Sequence, residues 1–383
     1  MLRSKLPESN NKVLTEIFNR AANEDSVDFA TPLPDSKIPQ KIRDLVVKYI
    51  KSGEKQYAPA EGIIELRKAI SDYYFKEYSH KYSPEKEISV TEGSTEALWT
   101  VITAIVHEDD EVIIIEPAPS NCVSAIRING GIPLFVTLKA PGYKTDWNEV
   151  IRMVNQRTKM IIMSTPQIPS GKLCTEEDFR NLQKIIVGSK ITVLCNESFS
   201  NICFEQPFVS IAKFPLMSKQ TVLISSLSRG LNATGWKSGF CIAPEDYTAE
   251  IRKIHKYICN YGNAAVQHAM AELITSDKEF LESVRDEYKA KRDLLCSLLE
   301  GSGYKLIPSQ GSWYQMVDIS AITKENDISF AQRLAREFGL AVVPMSVYYH
   351  DRNRSSIVRI CFARPDKVIK EGVKRLLKAR KIN

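Results

Sequence analysis

Six short runs of apolar and β-branched residues, "EISVT", "EVIIIEP", "PLFVTL", "KMIIMS", "ITVLC" and "QTVLISS", recur between residues 87 and 226. Most are separated by segments with helical periodicity, such as "STEALWTVITAIV" and "EEDFRNLQKII". A strand without a polar face has to be covered on both sides, so this rhythm predicts an α/β fold whose mainly parallel sheet carries helices on each face. The run "GFCIAP" follows the sixth strand too soon for a helical crossover and is expected to pair antiparallel. Residues 246–300 read as helices, the last long enough to lead into a second, smaller α+β unit. That unit consists of "YKLIP", "WYQMVDI", a helix at "SFAQRLAREFG", strands "LAVVPM" and "SSIVRICFA", and a closing helix. The expected division is an arm over residues 1–40 that contributes to the small domain, a large domain over 41–278, and the small C-terminal domain over 279–383.

The 383 residues are 43% hydrophobic and 26% charged, a balance suited to a soluble globular protein. The net charge of +6 is spread along the chain with acids interleaved, which predicts no nucleic-acid partner. Even the basic end, "KRLLKARKIN", reads as the solvated face of a last helix. No apolar run reaches the ~20 residues of a membrane span, so no membrane partner is expected. Eight cysteines without a CxxC pair suggest a reduced, cytoplasmic setting, and five scattered histidines predict no metal site.

In open α/β sheets, ligands gather where the strands end. After "EISVT" comes "EGSTEA", where Gly93 permits a tight turn. Ser94 and Thr95 there open a helix, either as an ordinary cap or as an anion cup. After "KMIIMS" comes "TPQIPSG", and after "ITVLC" comes "NESF". After "QTVLISS" comes "LSRGLNATGWKSGF", which holds Arg229 and Lys237 among serines and glycines. In "SSIVRICF" alternation puts Arg359 on a face with Ile357 and Cys361. A guanidinium there needs an anion, from a structural acid or from a ligand carboxylate.

Taken in order, "QYAPAEGIIELRKAI", "VTEGSTEAL", "DEVIIIEP", "TPQIPSG", "NESF", "SSLSRGLNATGWKSGFCIAP", "EIRKIHKY" and "IVRICFA" resemble the fold-type I, pyridoxal-phosphate-dependent aminotransferases of class I/II. The resemblance covers essentially the whole chain and points to the branch acting on methionine, kynurenine and related amino acids. It implies a homodimer in which Tyr57 reaches the neighbouring subunit's phosphate. It also implies a phosphate site at Gly93, Ser94, Thr95, Ser226, Ser228 and Lys237, and a substrate carboxylate at Arg359. Other positions depart from the family pattern. The Schiff-base lysine falls on Arg229, the aspartate at the pyridine nitrogen on Asn196, and the tyrosine at the ring oxygen on Phe199. The asparagine sharing that oxygen falls on Ile168, the stacking aromatic on Pro119, and the substrate-loop glycine on Pro32.

Arginine keeps its proton at working pH and cannot serve as the imine-forming amine. Asn196 supplies no anion to make the ring an electron sink, and Phe199 and Ile168 offer its oxygen no hydrogen bond. Glu197, one residue on, faces the other side of the strand. The expectation is a protein defective in transamination that binds an anionic metabolite, with Arg229 gripping an oxyanion among Ser226, Ser228 and Lys237. Alternatively, Arg229 fills the lysine's space and pairs with an acid. An active aminotransferase and a dimeric scaffold with a relic pocket are the competing functions.

Overall fold

The structure, a computed structural model, describes residues 4–6, 12–23, 25–53, 56–351 and 355–380. Seven strands form the main sheet: Ile88–Thr91 (β1), Glu111–Glu116 (β2), Ile132–Thr137 (β3), Thr158–Ser164 (β4), Thr192–Asn196 (β5), Thr221–Ser225 (β6) and Gly239–Ile242 (β7). Their order is β1-β7-β6-β5-β4-β2-β3. All run parallel except β7, which pairs antiparallel with both neighbours, as its short connection requires.

Successive residues of one strand enter different cores. Ile113, Ile115, Ile161, Met163 and Cys195 pack on one face, against Phe179 and Leu182 of the helix Glu176–Ile186. Val112, Ile114, Met160, Ile162 and Leu194 pack on the other, against the helices Gly93–Ile105 and Ser120–Ile128. Both faces being dry is why these strands lack alternation.

A second sheet holds Lys305–Ile307 (β8), Tyr314–Asp318 (β9), Val343–Pro344 (β10) and Ile357–Cys361 (β11), ordered β8-β9-β11-β10 and antiparallel throughout. The run "LAVVPM", expected as one strand, is divided. Leu340–Ala341 pairs in parallel with Val27–Asp28 from the N-terminal segment, whereas β10 joins β11. Pro344, lacking an N–H, suits an edge strand. Buried Arg364 ties down the same N-terminal segment through the carbonyls of Asp28, Thr31 and Leu33. Among the described residues no helix is long and apolar enough to cross a membrane.

Candidate ligand-binding site

At the carboxyl ends of the parallel strands, Ser164 lies opposite Asn196, and Asn196 opposite Ile224. The turns after β4, β5 and β6 therefore open onto one edge, together with the helix start after β1. Gly93, at φ +81°, faces Lys237: a Cβ there would stand 3.6 Å from the lysine Cε. Gly239 packs still closer, since its Cβ would lie 2.6 Å from Ser225 O and 2.9 Å from Ser94 N. Only glycine lets the β7 backbone come so near. Ser94 is buried, while Thr95 and Lys237 are exposed at the mouth. The first amides of the helix Gly93–Ile105 have no carbonyl within the helix to bond, so this corner presents backbone donors of the kind that can hold an anion.

Two hydroxyls expected at the cup are already engaged. Ser226 Oγ accepts from Arg229 N at 3.3 Å, capping the turn Leu227–Gly230. Ser228 Oγ accepts from Ser238 N at 2.5 Å and donates to Ser238 O at 3.0 Å, joining both ends of the loop. The Arg229 guanidinium itself bonds to none of Ser226, Ser228 and Lys237 among the described residues. It turns to the aromatic side, 4.7 Å from the Phe199 ring centroid and 5.8 Å from that of Trp313. The alternative pairing with an acid is absent too: among the described residues the guanidinium has no hydrogen-bond or ion-pair partner. Burial pulls its pKa below the ordinary arginine value, but arginine stays cationic.

Asn196 turns its amide oxygen back onto its own turn, accepting from Ser198 N at 3.0 Å and Ser198 Oγ at 2.5 Å. Glu197 is fully buried on the opposite face, as alternation requires. It accepts from Ser210 Oγ and Ile211 N, both at 2.8 Å. Burial pushes its carboxyl up to about 7. Phe199 is buried edge-on to Trp313. Ile168 and Pro119 are partly buried, and their turns are fastened together where Gln167 Nε2 donates to Pro117 O.

Arg359 is 2% exposed, and no acid pairs with it among the described residues, which corrects the structural-acid alternative. It donates to Tyr348 Oη at 2.6 Å and to Ala30 O, and its carbon lies 4.5 Å from the Tyr314 ring centroid. Pro32 follows Ala30 by two residues, partly buried in the same N-terminal segment. Among the described residues, Ser238 Oγ, Trp313 Nε1 and Arg359 Nε are buried without a partner. Such groups are rare in folded proteins and mark places where an acceptor is wanted. Tyr57 stands apart, 68% exposed beside Tyr261.

Trp313, Tyr314 and Tyr348 were missed as site residues. "WYQMVDI" begins on aromatic residues that flank both arginines, and this was a readable hint; Tyr348 carried none.

The aminotransferase class I and II family matches residues 19–376. Methionine aminotransferase of Escherichia coli (strain K12) is 32% identical over 375 residues, covering 98% of this chain and 97% of that protein. Kynurenine–oxoglutarate transaminase of Dictyostelium discoideum is 28% identical over 409 residues, covering 96% and 94%. The crystal structure of YbdL from Escherichia coli, identified with a methionine aminotransferase function, superposes with a TM-score of 0.94 over 99% of both chains at 32% identity. N-succinyldiaminopimelate aminotransferase from Mycobacterium tuberculosis gives 0.93 at 26% identity, covering 99% and 100%. With architecture and sequence agreeing along nearly its full length, the chain belongs to the class I and II aminotransferases and has their fold-type I architecture.

Proposed function

We propose that this chain is a family member that no longer transaminates and instead holds an anionic metabolite without a covalent bond. The observation that carries the reading is Arg229. It occupies the position where the family resemblance puts the imine-forming lysine, and among the described residues its guanidinium has no acid partner. A group that never gives up its proton cannot attack a carbonyl. The cup at Gly93, Ser94 and Lys237 suits a phosphate. The opposite half does not suit pyridoxal phosphate: Asn196 spends its amide oxygen on Ser198, Phe199 and Ile168 have no polar atom for the ring oxygen, and Pro119 has no aromatic face. What that half offers is positive charge against aromatic faces, from Arg229 and Arg359, and this favours a ligand rich in carboxylate or phosphate oxygens.

A homodimer is part of the proposal. Exposed Tyr57, Tyr257, Ile258 and Tyr261 lie on neighbouring chain segments, and so large a set of bare apolar side chains calls for cover. The eight free cysteines accord with a reducing, cytoplasmic setting.

The test is to mix the protein with excess pyridoxal phosphate, record its visible spectrum, then reduce with borohydride and map the peptides. The expected result is no aldimine band and no modified peptide, with a melting temperature raised by phosphate or by dicarboxylates. A reducible band with turnover of methionine returns the chain to the active aminotransferases. Neither band nor thermal shift leaves a dimeric scaffold.

A further inference from the structure

A cavity lies behind the turn that carries Arg229. It is a groove of about 510 Å³ between the helix Ile64–Tyr78, the loop 200–208, and the helices Ala264–Ser276 and Lys278–Leu299. A narrow extension of about 30 Å³ shares Tyr73, Asn201 and Leu281 with the groove and reaches Ser225, Ser226 and Leu227. The main volume falls in the range of small-molecule sites.

Its walls have two characters. Tyr73, Phe204, Phe208, Ile274 and Leu281 supply aromatic and aliphatic surface. Facing elements supply charges of both signs: Asp72, Lys76 and Glu77 from one helix, Lys278, Glu282 and Arg285 from another, and Glu205 from the loop, with Arg285 engaged by Asp286 and Glu205 by Arg292. The couples Asp72 with Lys76 and Lys278 with Glu282 are each spaced i,i+4, where opposite charges are within reach of each other. Neither has closed, and none of the four has an ion-pair or hydrogen-bond partner among the described residues. Some i,i+4 couples elsewhere have closed, as in Lys289 with Asp293 at 3.0 Å and Arg375 with Glu371 at 2.9 Å, while others among the described residues, such as Asp366 with Lys370, have not. Two open acid–base couples across an apolar floor complement a small molecule that carries an ammonium, a carboxylate and a bulky apolar body.

We infer that this groove is an effector site for a zwitterion of that kind, with the chemistry of a free aromatic or large aliphatic α-amino acid. Occupancy would be felt at Arg229 through Asn201. The Asn201 side chain lines the groove and abuts Gly230 so closely that a Cβ there would lie 2.6 Å from Nδ2. Tyr73 Oη makes a long contact of 3.5 Å with Asn201 Oδ1, so a body resting on Tyr73 sets the asparagine and with it the Leu227–Gly230 turn. Binding in the groove is independent of whether the chain transaminates; only the consequence at Arg229 rests on the function proposed above.

Titration calorimetry on the full chain tests this, with L-phenylalanine as probe and 3-phenylpropionate and phenethylamine as its two half-charged counterparts. Saturable binding of L-phenylalanine is expected, at least tenfold tighter than either counterpart. Lys278→Glu and Glu282→Lys, both on the outer helix, should each weaken it at least fivefold, whereas Arg359→Lys should leave it within twofold. No saturable binding at millimolar probe overturns the inference. So does binding that Arg359→Lys abolishes and Lys278→Glu spares, because the probe then sits in the first site. L-phenylalanine should also change the affinity for succinate at least threefold in the wild type and not in Asn201→Ala. An equal change in both overturns the route through Asn201.

Discussion

The two halves of the site differ in what builds them. The cup is made of backbone: a helix start, a glycine at positive φ, and a second glycine pressed against Ser94 and Ser225. The opposite half is made of side chains, Arg229, Asn196, Phe199, Ile168 and Pro119, each at a position where the family resemblance expects another group. Amides cannot be exchanged by substitution, but side chains can. A fold can therefore keep its grip on an anion while the groups for imine chemistry are replaced one by one.

The sharpest way to break this comparison is to rebuild the side-chain half. Arg229→Lys alone restores an amine but neither the anion beside the ring nitrogen nor the ring-oxygen contact. It is expected to turn over methionine at least about a hundredfold more slowly than Arg229→Lys combined with Asn196→Asp and Phe199→Tyr. Steady-state kinetics with pyridoxal phosphate decides it. Full activity from the single change would show that the other departures carry little weight.

The backbone half breaks differently. A Cβ at Gly239 would meet Ser225 O, the Gly93 carbonyl carbon and Ser94 N, all within 3 Å and all main chain. Gly239→Ala should cost about 3 kcal/mol or more in chemical denaturation, with loss of phosphate binding. Gly235→Ala, with nothing within 4 Å of its Cβ and no positive φ, should stay within about 0.5 kcal/mol. Equal effects would mean that close approach does not shape the cup.

Glu197 sharpens the comparison by showing that an acid next to the site is no substitute for one in it. Its folded pKa is raised from 4.5 to about 7 by burial, so the folded state holds the proton more tightly than the unfolded state. The protonated form's advantage is complete below about pH 4.5 and is lost as pH rises through 7, a loss on the order of 3 kcal/mol. Glu197→Gln should flatten that slope in denaturation curves between pH 4.5 and 7.5 without changing ligand affinity. A ligand that shifted the slope would place Glu197 in the site.

The strands were legible because each is apolar on both faces, and the reversal of β7 followed from the shortness of its connection. The glycine turn and helix start after β1 could be read as well, because both declare themselves locally. The direction of Arg229 could not be read: it depends on Phe199 and on Trp313, which are 114 residues apart and meet only when the second sheet packs on the first. The partners of Ser226 and Ser228 were hidden for a similar reason, since a hydroxyl in a serine-rich loop can cap its own turn as readily as bind a ligand. Arg359 shows the limit again: its strand position was plain, but not that Tyr348 Oη and Ala30 O would take the place of an acid.

The smallest effect separates holding a ligand from holding the fold. Arg229 gains from the faces of Phe199 and Trp313, contacts worth about 1 kcal/mol each at partly desolvated positions, yet it pays for desolvation with no anion in return. Arg364, by contrast, is bonded to four carbonyls and lies within 3.5 Å of Asp28 and Asp35. Replacing a charge that serves only a ligand should free the protein from that cost. Arg229→Met, apolar and of similar reach, is expected to leave the unliganded protein unchanged or about 1 kcal/mol more stable, while weakening phosphate or succinate binding at least about tenfold. Thermal denaturation with and without the anion reads both numbers from one sample. If Arg229→Met destabilises the empty protein and leaves anion affinity intact, the guanidinium belongs to the core and the side-chain half has no ligand to hold.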